Sequence, residues 1–267
     1  MQSKNHGSLK NRSMPAYQNF SGQNEGLTSS ANISRTYAVL GASHSLFFEN
    51  SIPVFFCPFF FMSDTQRSTL VIGLTGGIAC GKSIAGKILE SLGFDVCDSD
   101  VIAHDLMAQG TGVYRRVVEH FGERILSGTG EIDRAVLGQI VFNHPEQLEK
   151  LNGLTHPAVR DTLAAWISEK RETQQNAAVQ IPLLFESGMD SLDWDAVFCI
   201  SATEDEALRR LKARGLSAAE AMQRIQAQMP LKEKEKRSDC IIPNDGTLKD
   251  FTEAIEQAVQ KTAVRKG

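Results

Sequence analysis

The strongest constraint on the fold is a glycine-rich motif, Gly76-Gly77-Ile78-Ala79-Cys80-Gly81-Lys82-Ser83, which matches the pattern G-x-x-x-x-G-K-[ST]. An apolar run from Leu70 to Thr75 precedes the motif, and a helical pattern that ends at Gly93 follows it. This order predicts a buried strand, a phosphate-binding loop and a helix. The alternative is a glycine-rich turn that carries the pattern by chance, and the flanking elements argue against it.

The motif gives its residues specific chemical roles. Glycines let several backbone N–H groups point inward, and the N-terminus of the following helix adds positive potential for phosphates. Lys82 is expected to reach the β- and γ-phosphates of ATP, and the hydroxyl of Ser83 to bind Mg²⁺. The predicted nucleotide-binding residues of the loop are Gly77, Ile78, Ala79, Cys80, Gly81, Lys82, Ser83 and Ile84.

Composition favours an ordinary globular protein. The chain has 267 residues, a net charge of −4 and 42% hydrophobic residues, so neither nucleic acid nor a membrane is expected as a partner. The five cysteines are widely spaced and form no C-x-x-C pair. This pattern indicates reduced thiols and therefore a cytoplasmic protein.

Residues 1–61 differ from the rest of the chain. They are rich in Ser and Asn, show no sustained helical or strand period, and end in an apolar stretch that prolines interrupt. That stretch is too short to span a bilayer and lies too far from the start to be a secretory signal. We expect residues 1–61 to be a disordered extension, or an upstream addition to a protein that begins at Met62.

Two carboxylates follow the second predicted strand. Phe94 to Cys97 reads as a strand, and Asp98 and Asp100 come directly after it, with His104 on the next helix. Functional groups in parallel sheets collect at the carboxyl ends of strands, so one Asp could orient or deprotonate an acceptor hydroxyl and the other could support Mg²⁺. The alternative for either Asp is capping of the next helix.

Residues 101–170 have helical patterns and no convincing strand. Asp133 is expected to cap one helix, a second is expected to begin near Pro145, and Pro157 to open a third. Such an insertion between strands could cover an acceptor substrate. A third strand follows, and Glu186 after its end is a candidate for the acceptor site or the metal shell.

A basic segment lies late in the chain. Between Arg209 and Arg237, nine basic residues stand against three acidic ones, after a predicted capping box at Thr203 and Glu206. We interpret residues 205–237 as a helical lid that closes over the transferring phosphoryl group, with Arg210 and Arg214 as catalytic candidates. A solvated charged face or a weak nucleic-acid patch is the alternative.

These elements predict an α/β protein with a P-loop three-layer fold, a five-stranded parallel sheet, an inserted helical substrate domain and a helical lid. The predicted kinase domain covers residues 62–267, with its core in 69–100, 177–204 and 238–262. A GTPase switch should carry D-x-x-G and N-K-x-D, and neither string occurs in the sequence. A kinase of small metabolites or nucleoside monophosphates is favoured over a regulatory NTPase module.

Residues 70 to about 260 resemble the dephospho-coenzyme A kinase family, the last enzymes of coenzyme A synthesis. No single motif is specific, whereas the ordered set is. The matching segments are Leu74 to Ile78, Gly81-Lys82-Ser83, Asp98 to His104, Asp133 to Leu137, Ile140-Val141-Phe142, Leu154 to Pro157, Ile181 to Glu186, Arg210-Leu211, Arg214, Ile225-x-x-Gln228, Lys234 and Asn244-x-Gly246.

The resemblance implies transfer of the γ-phosphoryl group of ATP to the ribose 3′-hydroxyl of dephospho-coenzyme A. It implies that Asp100 orients or deprotonates this hydroxyl and that Asp98 supports the metal or the acceptor ribose. His104 and Glu186 would bind the acceptor, and Asn244 would lie near the adenine of ATP.

Two loop residues depart from the family pattern, which usually has Gly and Ser where this chain has Ala79 and Cys80. We expect Ala79 to have a backbone conformation that suits an L-residue. Cys80 stands at a helix N-terminus near Lys82, which predicts a lowered thiol pKa and a thiol that could inactivate the enzyme on oxidation or alkylation.

Overall fold

A five-stranded, wholly parallel sheet forms the centre of the structure, a computed structural model that describes residues 69–267. The expectation for residues 1–61 lies outside the described residues. The strand order is β2-β3-β1-β4-β5. The strands are β1 Val71–Gly76, β2 Asp95–Asp98, β3 Ala177–Gln180, β4 Ala196–Ser201 and β5 Cys240–Pro243.

Nine helices accompany this sheet within residues 69–267, together with 3₁₀ turns at Glu123–Ile125 and Met189–Ser191. The helices are α1 Lys82–Ser91, α2 Ser99–Leu106, α3 Gly112–Phe121, α4 Arg134–Asn143, α5 Pro145–Glu172, α6 Glu204–Ala213, α7 Ala218–Gln226, α8 Leu231–Arg237 and α9 Leu248–Lys266. None of the helices in this part of the chain is both long and apolar enough to cross a membrane.

Strand β1 is buried along its whole length and shows why the fold has three layers. Ile72 and Leu74 belong to an apolar cluster with residues of α1 and α9. Val71 points to the opposite face, where it lies in a cluster with Ile167 of α5. Because successive side chains alternate between faces, an apolar strand of this kind requires helices on both sides. The predicted α/β fold with a parallel five-stranded sheet is confirmed.

Helix α5 corrects the expectation for residues 145–172. Pro157 lies inside this single 28-residue helix and does not open a new one. An internal proline removes one backbone hydrogen bond and costs about 3 kcal/mol. Buried Thr155, Val159, Leu163 and Ile167, spaced by four residues, continue one inward face across the proline. Burial of this face outweighs the missing bond.

The segment between β2 and β3 has an apolar cluster of its own. Helices α3 and α4 and the first half of α5 surround Val117, Phe121, Ile125 and Leu137, which are almost completely buried. Asp133 caps α4 through the N–H groups of Ala135 and Val136, as expected. This helical unit follows α2, the helix that begins directly after Asp98 at the end of β2.

Candidate active site

The phosphate loop, residues 76–83, joins β1 to α1. Gly76 cannot be replaced, because a Cβ there would lie 2.2 Å from the carbonyl oxygen of Ile200 on β4. In the part of the chain that the structure describes, the N–H groups of Gly81, Lys82 and Ser83 donate to no other group. Together with the helix dipole they leave an electropositive site for an anion.

Lys82 lies within this loop. Its ammonium donates to the carbonyl oxygens of Gly76 at 3.2 Å and Gly77 at 3.3 Å. Burial is the main cause that lowers the pKa of Lys82, and the like charge of Lys234 adds to it. These two hydrogen bonds of the Lys82 ammonium are long, and an anionic acceptor such as a phosphate oxygen would replace them.

Ala79 has a left-handed backbone, with φ at +59°, so the expectation of an ordinary conformation is wrong. Two long-range hydrogen bonds hold this part of the loop. The guanidinium of Arg210 donates to the carbonyl oxygen of Ala79 at 3.1 Å, and the side-chain amide of Asn244 donates to that of Cys80 at 2.8 Å. Tertiary contacts therefore fix a conformation that an L-residue rarely adopts.

Arg210 is itself held by three groups. Besides Ala79, it donates to the carbonyl oxygen of Asn244 at 2.7 Å and pairs with Glu206 at 2.7 Å. Glu206 also binds Arg209, so its carboxylate does not complete the capping box predicted with Thr203. The Thr203 side chain still caps α6, whereas its own N–H donates to Asp245. Arg210 and Asn244 thus form one network with the phosphate loop.

Cys80 is buried, with 1% of its surface exposed. Burial raises the pKa of its thiol, and this effect exceeds the opposite influence of Lys82, of two backbone hydrogen bonds and of Arg210. The expectation of a lowered pKa is therefore wrong. The sequence showed the charged neighbour and the helix start, but not the burial of the side chain.

Asp98 and Asp100 lie at the carboxyl end of β2 and in the first turn of α2. Asp98 caps α2, because its carboxylate accepts the N–H of Asp100 at 2.8 Å, so the capping alternative applies to it. The exposed Asp100 carboxylate makes no hydrogen bond or ion pair within residues 69–267. Partial desolvation and the neighbouring Asp98 raise its pKa, and Lys82 acts in the opposite direction.

Glu186 is engaged with the protein itself. Its carboxylate pairs with Lys234 at 2.9 Å and accepts the N–H of Met229 at 2.9 Å.

His104 lies exposed in the last turn of α2. Arg214 lies exposed at the end of α6, and its side chain has no partner among the described residues. The structure therefore brings Lys82 and Asp100 close enough to influence each other electrostatically, and leaves Arg214 at the margin.

Lys234 belongs to the basic segment and to the set of residues that match the family, but the sequence predicted no role for it. It lies on α8 with no exposed surface. Helical spacing could have predicted this burial. Leu231 packs against the core, and Lys234, three positions later, lies on the same face of the helix.

A parallel sheet, a phosphate loop after the first strand and two carboxylates at the end of a nearby strand define a P-loop kinase. A family model described as dephospho-CoA kinase matches residues 70–250. The chain belongs to the dephospho-CoA kinase family.

Sequence relatives and solved structures agree with this assignment. The chain is 46% identical to the dephospho-CoA kinase of Carboxydothermus hydrogenoformans over 193 residues, which is 72% of this chain and 93% of the relative. It is 47% identical to that of Geobacillus kaustophilus over 188 residues, 68% and 91% of the two chains.

Among solved structures, the dephospho-CoA kinase of Campylobacter jejuni matches with a TM-score of 0.56 at 30% identity, covering 74% of this chain and 98% of that protein. A protein of Thermus thermophilus matches with a TM-score of 0.61 at 33% identity, covering 73% and 98%.

Proposed function

We propose that this kinase transfers the γ-phosphoryl group of ATP to the ribose 3′-hydroxyl of dephospho-coenzyme A, the final step of coenzyme A synthesis. One observation carries the proposal beyond family membership: the unpaired carboxylate of Asp100 follows the carboxyl end of β2, and only β3 separates β2 from β1, which leads into the phosphate loop at the same edge of the sheet. An acceptor hydroxyl at Asp100 would therefore be next to the phosphates of a nucleotide in the loop.

Asp100 is proposed as the group that orients and deprotonates the hydroxyl. Its free carboxylate and raised pKa support this role, because a base works best when its pKa approaches the working pH. Lys82 and the free N–H groups at the start of α1 would stabilise the charge on the phosphoryl oxygens. Phosphoryl transfer needs little covalent chemistry from the protein, so positioning and charge should dominate.

Mg²⁺ is part of the proposal. The exposed hydroxyl of Ser83 and the carboxylate of Asp98 are hard oxygen donors of the kind that Mg²⁺ accepts. Residues 69–267 contain no group of three His, Cys, Asp or Glu side chains that could hold a metal. Two protein donors suit an ion that arrives with nucleotide phosphates and keeps several waters. Its chemistry would be to neutralise charge on the phosphates.

The remaining roles concern the two substrates. Val101 on α2 and Leu183 after β3 are half and about one-third exposed, at 50% and 37%, which offers apolar surface at the edge of the sheet that carries Asp100. We propose that residues 101–170 cover the acceptor, with His104 and Glu186 contributing, and that residues 205–237 form the lid.

The loop residues 77–84 and Asn244 would hold ATP, with Asn244 near the adenine. Arg210 and Arg214 would face the transferring group on closure.

The proposal includes a cytoplasmic location and no nucleic-acid partner. The four cysteines of the described residues are unpaired, which supports a reducing compartment.

A coupled assay of ADP release tests the function. ATP turnover should require dephospho-coenzyme A and should stay at background with adenosine or shikimate as acceptor. Turnover of equal size with a wrong acceptor, or acceptor-independent hydrolysis of GTP, would refute the proposed function.

A further inference from the structure

Lys234 on α8 is the most completely buried charged side chain in residues 69–267, with 0% of its surface exposed. Its ammonium donates to the carbonyl oxygen of Pro182 at 2.7 Å and pairs with Glu186 at 2.9 Å. Buried ion pairs add little to stability in general, because desolvation offsets the attraction. Stability alone therefore does not account for a lysine at this position.

Both partners of Lys234 belong to the segment that follows β3, residues 182–186. Strand β3 lies between β1, which leads into the phosphate loop, and β2, which leads into Asp98 and Asp100. The segment after β3 therefore lies between the two sites that have to meet for phosphoryl transfer. Its position should determine how an acceptor approaches the phosphate loop.

Glu186 joins this segment to the proposed lid. One of its carboxylate oxygens accepts hydrogen bonds from the ammonium of Lys234 and from the backbone N–H of Met229. Met229 lies between α7 and α8. The chain that returns from the lid is thus fixed to the end of β3 at two points.

Helix α8 makes further contacts that hold the same region. Arg237 lies over the ring of Phe185, 4.4 Å from its centre, and pairs with Asp190 at 2.7 Å. On the other side, Glu235 accepts the hydroxyl of Ser201 at the end of β4. The helix is therefore attached to the ends of two strands, although its sequence belongs to the basic segment.

We propose that Lys234 is a positioning residue, which acts through Pro182 and Glu186 to hold residues 182–186 in the place where the acceptor binds. The inference rests on the proposed function, since it assigns the segment to the acceptor side of that reaction. Lys234 touches neither substrate in this account.

Lys234→Met keeps the length of the side chain and removes both contacts. Because displacement of a positioning segment by about 1 Å can cost up to 100-fold in rate, kcat/KM for dephospho-coenzyme A should fall by about 10- to 100-fold. The loss should divide between a raised KM for the acceptor and a lowered kcat, while the dissociation constant of ATP without acceptor changes much less. Glu186→Gln, which retains an acceptor for Met229, should show a smaller defect of the same kind.

Lys249→Met is the control, because this lysine is on α9, outside the proposed lid, and its exposed side chain pairs only with Glu253 within residues 69–267. It should behave as the wild type. Thermal unfolding is recorded for every variant. If Lys234→Met does not fold, two other variants test the inference. One is Glu186→Gln alone, and the other is the double variant Lys234→Met/Glu186→Gln, which leaves no unpaired carboxylate.

Three results would overturn the inference: a defect confined to ATP affinity, a lowered melting temperature with unchanged kinetic constants at 25 °C, or wild-type constants in Glu186→Gln and the folded double variant. A wild-type enzyme without turnover on dephospho-coenzyme A would instead refute the proposed function, so the two failures are distinguishable.

Discussion

Replacing Ala79 by glycine should stabilise the protein, although glycine usually destabilises. Ala79 has φ at +59°, and the left-handed region costs an L-residue about 1–2 kcal/mol. Glycine adopts this conformation without strain, but it raises the conformational entropy of the unfolded chain, which lowers stability by about 0.4–1 kcal/mol. The difference predicts a net gain of about 1 kcal/mol, equivalent to about 2–4 °C in melting temperature for a domain of this size.

Ala227→Gly is the matched control. Ala227 is exposed at the end of α7 with φ at −74°, so the same change relieves no strain there. It should destabilise by about 0.5–1 kcal/mol. Urea unfolding followed by circular dichroism measures both variants in the absence of nucleotide. Equal destabilisation by both substitutions would refute the strain at Ala79.

Three further predictions concern the phosphate loop. Lys82→Ala should weaken ATP binding by about 10-fold or more through loss of a charged hydrogen-bond donor, and unchanged affinity in calorimetry would contradict its phosphate role. Asn244→Ala leaves the carbonyl oxygen of Cys80 unpaired and should lower the free energy of unfolding by about 1–3 kcal/mol, which urea titration checks. Iodoacetamide at pH 8 should label the partly exposed Cys240 well before the buried Cys80; rapid labelling of Cys80 by peptide mass spectrometry would refute its raised pKa.

The sheet was predictable because local pattern and packing agree. Strands such as Val71–Gly76 are short apolar runs between turn signals, and the helix after the loop ends at Ser91, two residues before Gly93, which has φ at +85°. The predicted helix start at Pro157 was wrong because there the local signal and the packing disagree. A proline signals a helix start locally, whereas the buried face of α5 depends on contacts with distant residues.

The loop motif and the carboxylate pair could be read from spacing, but the state of each side chain could not. The burial of Cys80 and the partners of Glu186 depend on segments far away in the sequence, such as α8 and the end of β5. Sequence likewise cannot show that Asp98 caps α2 while Asp100 stays unpaired, because both residue types fit both roles. The assigned roles of these site residues stay predictions.

The most direct test follows the γ-phosphoryl group of ATP into product in the wild type and in Asp100→Asn, using phosphorus NMR to identify the phosphorylated position. The wild type should produce the 3′-phosphate of dephospho-coenzyme A. Asp100→Asn should bind ATP normally and form this product about 100-fold more slowly, or slower still. Near-wild-type product formation by Asp100→Asn, or phosphate at another position, would contradict the account.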